Sequence, residues 1–168
     1  MSAWRVALLE QARSDFLAAD VLAFEEGHAS QTTMLLQMAW EKLSKAALVM
    51  SGAWDPTKKS HKVAAKFASV LKKAPRVEDV FRAPSRAALA GRLTWLQGEL
   101  EALEALTPAL AAGENAEYPW EARDNTGAAT IHWPAAHLTR RFCAPRDRGG
   151  MHLRKDFLAI EQHFDRLF

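Results

Sequence analysis

The chain has 168 residues, 49% hydrophobic and 25% charged, with a formal net charge of +2. That is the balance of an ordinary soluble globular protein, long enough to bury one sizeable core. The only cysteine, Cys143, excludes an internal disulfide and any cysteine-rich metal site. No apolar run is long enough to span a bilayer, and no basic-then-apolar leader with a cleavage site opens the chain. A cytoplasmic protein with no membrane partner is therefore expected.

Almost every segment has a helical period. In the first, Leu9, Ala12, Phe16, Ala19 and Ala23 follow the three-four spacing of one buried stripe, with Ser2 to cap its start and Gly27 to end it. The second, "SQTTMLLQMAWEKLSKAALVMSG", is expected to bury Leu35, Met38 or Ala39, Leu43, Ala46 and Met50, to pair Glu41 with Lys45, and to close at Gly52. Ser60 is placed to cap a third helix, "HKVAAKFASVLKKA", which stops before Pro75, and a short turn of helix covers "VEDVF". Asp15 and Asp20 read as solvated helix residues.

The clearest helix is "SRAALAGRLTWLQGELEALEALTP", where Leu89, Leu93, Leu96, Leu100 and Leu103 alternate steps of four and three, the seam of a bundle. Gly91 and Gly98 lower its propensity and are expected to let another helix approach closely. The final run carries one apolar face, Leu153, Phe157, Ile160, Phe164 and Leu167, to the end of the chain. Between these two helices there is no helical stripe. There "DNTG" is expected to turn a small β-hairpin between Trp120 and Trp133, and "PAAHLTRRFCA" to add one short helix. No strand-helix alternation and no Gly-rich loop appear, which argues against a nucleotide-binding α/β fold. The expected architecture is all-α: a single domain over 1–168, an up-and-down antiparallel helical bundle with a small irregular or β-hairpin insertion near 114–133.

The small net charge hides segregation. Seven Lys/Arg and no acid lie between Lys58 and Arg76, and six more, against Asp147 alone, between Arg140 and Lys155. Seven acids and only Arg123 lie between Glu99 and Asp124. Two basic segments can bind a polyanion despite the near-neutral total, although each run by itself is what a solvated helix face looks like.

"ARSDFLAADVLAFEEG", "LLQMAWEKLSKAALVMSG" and "SHKVAAKF" together resemble the HEPN domain superfamily of bacteria and archaea. The match lies in an amphipathic first helix ending near glycine, a Glu-Lys motif and glycine in the second (Glu41, Lys42, Lys45, Gly52), and the Ser60-His61 pair. "EYPW", Glu117 to Trp120, is similar to a Tyr-Pro stretch of many members. The resemblance implies a helical bundle that usually dimerises. Many members are metal-independent ribonucleases of toxin-antitoxin, abortive-infection and CRISPR systems; others bind nucleotides or pair with a nucleotidyltransferase without catalysis.

Catalytic members carry an Arg, four to six residues, then a His, a spacing that Arg146 and His152 meet in "RDRGGMH". Arg148 is one residue too close for that role, and with Arg140, Arg141 and Lys155 it is assigned to phosphate or RNA contact. A histidine titrating near neutrality can move the proton of a 2′-hydroxyl, and an arginine offers a forked donor to phosphate oxygens. By the resemblance, two copies across a dimer axis supply acid, base and cations, and the products are a 2′,3′-cyclic phosphate and a 5′-hydroxyl. Free N–H groups near Gly150 and Met151 would favour an anion at a helix start. Departures from the pattern are the Gly149-Gly150 pair, expected to break the helix, and Arg154 where one toxin subclass has tyrosine. The competing reading makes this stretch a charged hinge, with His152 exposed in the first turn of the last helix.

Other residues carry less. His61 reads as a packing and capping residue just inside a helix start. His132 and His137 flank Trp133-Pro134 without a third ligand, so neither metal nor cofactor is expected. Tyr118, Trp120 and Trp133 are stacking candidates for bases, more simply read as pinning their loop onto the bundle. A homodimer is expected from the aromatic bulk of Phe157, Phe164 and Phe168 and the Leu89–Leu103 seam. Two functions stay open: an RNA endonuclease or RNA-binding toxin or defence component, with an antitoxin partner possible, and a non-catalytic module holding a nucleotide or a protein such as a nucleotidyltransferase.

Overall fold

The computed structural model describes residues 3–24, 28–55, 61–106, 120–132 and 148–168. Among them are seven helices and one two-stranded antiparallel sheet: α1 (Ala3–Leu22), α2 (Ala29–Met50), α3 (Ala64–Lys72), α4 (Val77–Phe81), α5 (Arg86–Ala105), β1 (Trp120–Arg123), β2 (Ala129–His132), α6 (Arg148–Gln162) and α7 (Phe164–Leu167). The fold is all-α with a small hairpin, and no described helix is long and apolar enough to cross a membrane. Ser2, Gly27, Ser60, Tyr118-Pro119, Trp133 and the segment 134–144 lie outside the described residues.

Core packing explains why the apolar stripes read well. Ala12, Phe16 and Ala19 of α1, all five seam leucines of α5, and Leu153, Phe157, Ile160, Phe164 and Leu167 are buried in one cluster. At its centre Phe157 stacks on Phe16 (ring centroids 4.3 Å apart) and meets Trp40 edge-on at 5.4 Å; Trp40 in turn meets Phe67 at 6.3 Å. Four helices thus converge on one aromatic group, an arrangement that favours offset and edge contacts. The expected dimer residues are consumed here: Phe157, Phe164 and the leucine seam face the chain's own core, and Phe168 packs against it. Among the described residues, the large apolar side chains left exposed are instead on α1 (Trp4, Val6, Leu17, Val21), just after it (Phe24) and on α6 (Met151, Leu158), with Met50 and Ile131.

Several local expectations need correction. On α2 the buried set includes Leu36, Trp40, Ala47 and Leu48, while Leu35 and Met38 are half-buried and Met50 is exposed. This central helix is covered on more than one side, which a single stripe cannot describe. Gly91 and Gly98 meet no atom within 4 Å of where a side chain would begin, so they mediate no close helix approach. Gly52 does end α2: at φ +68° it lets Ala53 N–H donate to Leu48 O (2.8 Å) and its own N–H to Val49 O (3.2 Å). The last run is divided at His163 into α6 and α7, although its apolar face continues across the break.

α3 starts at Ala64, so His61 precedes the helix. Its first N–H groups are taken from across the bundle: Glu104 Oε1 of α5 accepts from Val63 N–H and Ala64 N–H, 2.5 Å each. The hairpin closes as expected around Asp124-Gly127. Asp124 Oδ1 accepts from Thr126 N–H (2.8 Å), Thr126 Oγ1 (2.6 Å) and Ala128 N–H (3.0 Å), and Gly127 sits at φ +85°. These donors hold the Asp124 carboxyl below the ordinary range, the Thr126 hydroxyl first among them.

Candidate functional site

Several of the acids and bases that sequence periodicity leaves to solvent are cross-links between helices. Asp15 is buried and binds Lys42 Nζ at 2.5 Å and Gln11 Nε2 at 2.9 Å, joining α1 to α2. Asp20 accepts from Arg154 Nε at 3.0 Å, joining α1 to α6. Asp15 is thus not the solvated residue expected, whereas Asp20 stays 44% exposed while carrying its ion pair. Glu41 receives Lys45 Nζ (2.5 Å), Gln37 Nε2 (3.0 Å) and His61 Nδ1 (3.1 Å). Burial pushes the Glu41 carboxyl up, but Lys45 and His61 outweigh it and leave it below its ordinary value. The Glu-Lys and histidine motif is therefore a joint between α2 and the segment entering α3, in line with the structural reading of His61.

Around His152 the arrangement differs. α6 begins at Arg148 and runs through Gly149 and Gly150, so the glycine pair does not break it. Both glycines lie within the first turn, where the following turns and the burial of Leu153 and Phe157 hold the helix despite their low propensity. His152 consequently sits in the second turn, half-buried rather than exposed, one turn beyond Arg148.

Two α5 residues complete the site. Trp95 meets the His152 ring edge-on, centroids 5.6 Å apart, and the Arg92 guanidinium lies 5.9 Å from the Trp95 centroid. Arg92 also donates through Nε to Asp156 Oδ2 at 3.0 Å and through a second nitrogen to Oδ1, a two-pronged pair across α5 and α6. Asp156 follows His152 by one turn and its side chain is only 2% exposed. Burial raises its carboxyl pKa, and Arg92 offsets part of that rise. Arg92, Trp95, Gly149 and His152 line a pocket of about 340 Å³. Its lining offers an imidazole, an indole and a guanidinium, groups suited to proton transfer, base stacking and phosphate contact.

Of the sequence-assigned residues, His152 is in this pocket and Lys155 is exposed on α6. Arg148 opens the helix, and Arg140, Arg141 and Arg146 lie outside the described residues. Arg154 is only 8% exposed and paired to Asp20, which removes it from the anion-facing part of the second basic run. Arg92, Trp95 and Asp156 went unassigned. The available signal was spacing: Arg92 and Trp95 share one side of the leucine seam at i, i+3, and Asp156 borders the buried stripe at i, i+4 from His152. Among the described residues no group of three or more His, Cys, Asp or Glu could hold a metal ion. No family model, curated protein or solved structure matches this chain.

Proposed function

We propose that the chain is a HEPN-like, RNA-directed protein that cleaves single-stranded RNA without a metal, with His152 as the proton-transferring group. The observation that carries this is the half-buried His152 in an open pocket with Trp95 and Arg92. In the reaction the 2′-hydroxyl gives up its proton and attacks the adjacent phosphorus. The 5′-oxygen leaves with a proton, and a 2′,3′-cyclic phosphate and a 5′-hydroxyl result. Trp95 offers a stacking face to a base, and Arg146 is assigned to the phosphate by its spacing from His152. Both proton transfers need a titrating group, and among the described residues the pocket lining has only one imidazole. A second copy supplies the other, which makes a homodimer part of this reading.

A second reading is favoured by the Arg92–Asp156 pair, which engages the Arg92 fork and leaves less charge for a transition state. In it, the pocket holds a nucleotide or a partner's residue without cleaving anything, and a nucleotidyltransferase or an antitoxin belongs among the partners to try. The test is cleavage of a labelled single-stranded RNA in the presence of EDTA. His152→Ala should lose roughly a hundred- to ten-thousandfold in rate while still binding RNA. Wild-type protein that binds RNA but yields no cyclic phosphate, or a His152→Ala variant as active as wild type, leaves the non-catalytic reading in place.

A further inference from the structure

We propose that the exposed α3–α4 ridge is a docking surface for the phosphate backbone of single-stranded RNA. The proposal rests on the RNA reading of the His152 pocket, and it adds a second, separate contact surface. Between residues 61 and 86 the chain carries Lys62, Lys66, Lys72, Lys73, Arg76, Arg82 and Arg86 against only Glu78 and Asp79. All seven cations are exposed, and Glu78 is already engaged by Arg86 at 3.4 Å. Lys66 on α3 and Lys73 at its C-cap are seven residues apart and share one side, and Lys62 precedes the helix. Lys72 lies to the side of that row, donating to Gln97 Oε1 at 3.2 Å.

The backbone on either side of α4 supplies an independent observation. Arg76 at φ +60° and Arg82 at φ +47° are the non-glycine residues in the left-handed region among those described. Glycine takes this conformation without penalty and asparagine with little, whereas a long side chain is strained there. Neither arginine is buried, and neither forms an ion pair among the described residues, so packing does not explain the choice. What arginine adds at both positions is a fixed charge with a phosphate-matching fork.

The ridge also lacks the anchors other partners need. Among the described residues, no exposed large hydrophobic side chain lies between Met50 and Ile131. Protein interfaces and membrane surfaces are held by aromatic or aliphatic anchors at their centre, whereas backbone docking of a nucleic acid is carried by cations alone. Position fits as well: α4 packs against α5 and α6, the two helices that build the pocket. A strand lying along the ridge is thereby brought toward His152.

The experiment compares wild type, Arg76→Gly/Arg82→Gly, and His152→Ala by fluorescence anisotropy with a labelled single-stranded RNA across a salt series. Thermal melts of the free proteins accompany it. Losing two phosphate contacts should shrink the slope of log K against log salt by about 1.4, at about 0.7 per contact on a single strand. The same double variant should melt no lower than wild type, because glycine relieves the left-handed strain. His152→Ala should keep the wild-type slope. An unchanged slope, or a double variant that binds anionic vesicles or a poly-glutamate peptide less well but RNA equally well, overturns the ridge. A clear fall in melting temperature overturns it too, by giving both arginines a structural role. If the slope shrinks while no protein cleaves, the ridge stands and the catalytic reading fails; if His152-dependent cleavage is present with an unchanged slope, the reverse holds.

Discussion

Replacing Glu104 tests how α3 is held in the bundle. Val63 N–H and Ala64 N–H point at Glu104 Oε1 from 2.5 Å, and the N-cap residue Val63 has no side chain able to do the same work. Glu104→Ala leaves both donors to find water, and loss of such a cap costs about 1–2 kcal/mol. For a chain of this size each kcal/mol is worth about 2–4 °C, so the melting temperature should fall by about 2–8 °C. Glu104→Gln should fare better, because it keeps an acceptor oxygen and drops the charge. Burial raises the Glu104 carboxyl pKa, the two N–H donors oppose that, and Glu41 and Glu101 add to it. A carboxyl raised in the folded state binds its proton more tightly there than in the unfolded chain. Its contribution to stability is therefore full below the unfolded value and is lost as pH rises through the folded one. The advantage of wild type over Glu104→Gln should then be larger at pH 4.5 than at pH 7, as read by circular dichroism melts. A gap that widens toward neutral pH would refute the argument, since it would mean that the ionised carboxylate is the favoured form.

Phe157→Ala should be strongly destabilising, because the ring is shared by Phe16 and Trp40. A loss of about 3–5 kcal/mol is expected from urea unfolding, and a loss under about 1 kcal/mol would mean that the aromatic group is not the centre of the core. Glu41→Gln should change the acid side of the stability curve in the opposite sense to Glu104→Gln. The depressed Glu41 pKa contributes stability that is present above the unfolded value and lost as pH falls through the folded one. The wild-type advantage should accordingly shrink on acidification below about pH 4.5, the ordinary glutamate value. A constant difference across that range in denaturant titrations would count against the joint with Lys45 and His61.

The helices were legible because each buries one face, and a periodic apolar stripe records that directly. Leu89 to Leu103 and Leu153 to Leu167 are read correctly for this reason, as is the hairpin, whose turn needs a side-chain acceptor at Asp124 and a left-handed glycine at 127. α2 was half legible because a helix covered from several sides has no polar face to set its phase. Glu104 as the cap of α3 was not legible at all: the donors and the acceptor are some 40 residues apart, and no local pattern relates them. Gly149-Gly150 misled because propensity argues for a break, whereas tertiary packing of Leu153 and Phe157 decides for helix. His152 was found by spacing to Arg146, yet its neighbours Trp95 and Arg92 come from the flank of the leucine seam, where the apolar period carries no signal.

Charge shows the same division, and it bears on function. Sequence alone gives two basic runs of similar weight, but their described members meet different fates. In the second run Arg154 is drawn inward to Asp20, while Lys155 stays exposed. Along α3 and α4 the lysines and arginines stay outside, and Arg76 and Arg82 do so in a strained backbone. Burial of an ion pair is costly unless both partners are satisfied, so an arginine found inside has been committed to holding helices together. Arg76 and Arg82 are exposed and form no such ion pair among the described residues. The described cations that serve the fold are thus told apart from the exposed ones by their partners and backbone, and on the proposal above the α3–α4 ridge adds a backbone track to the one expected just before His152.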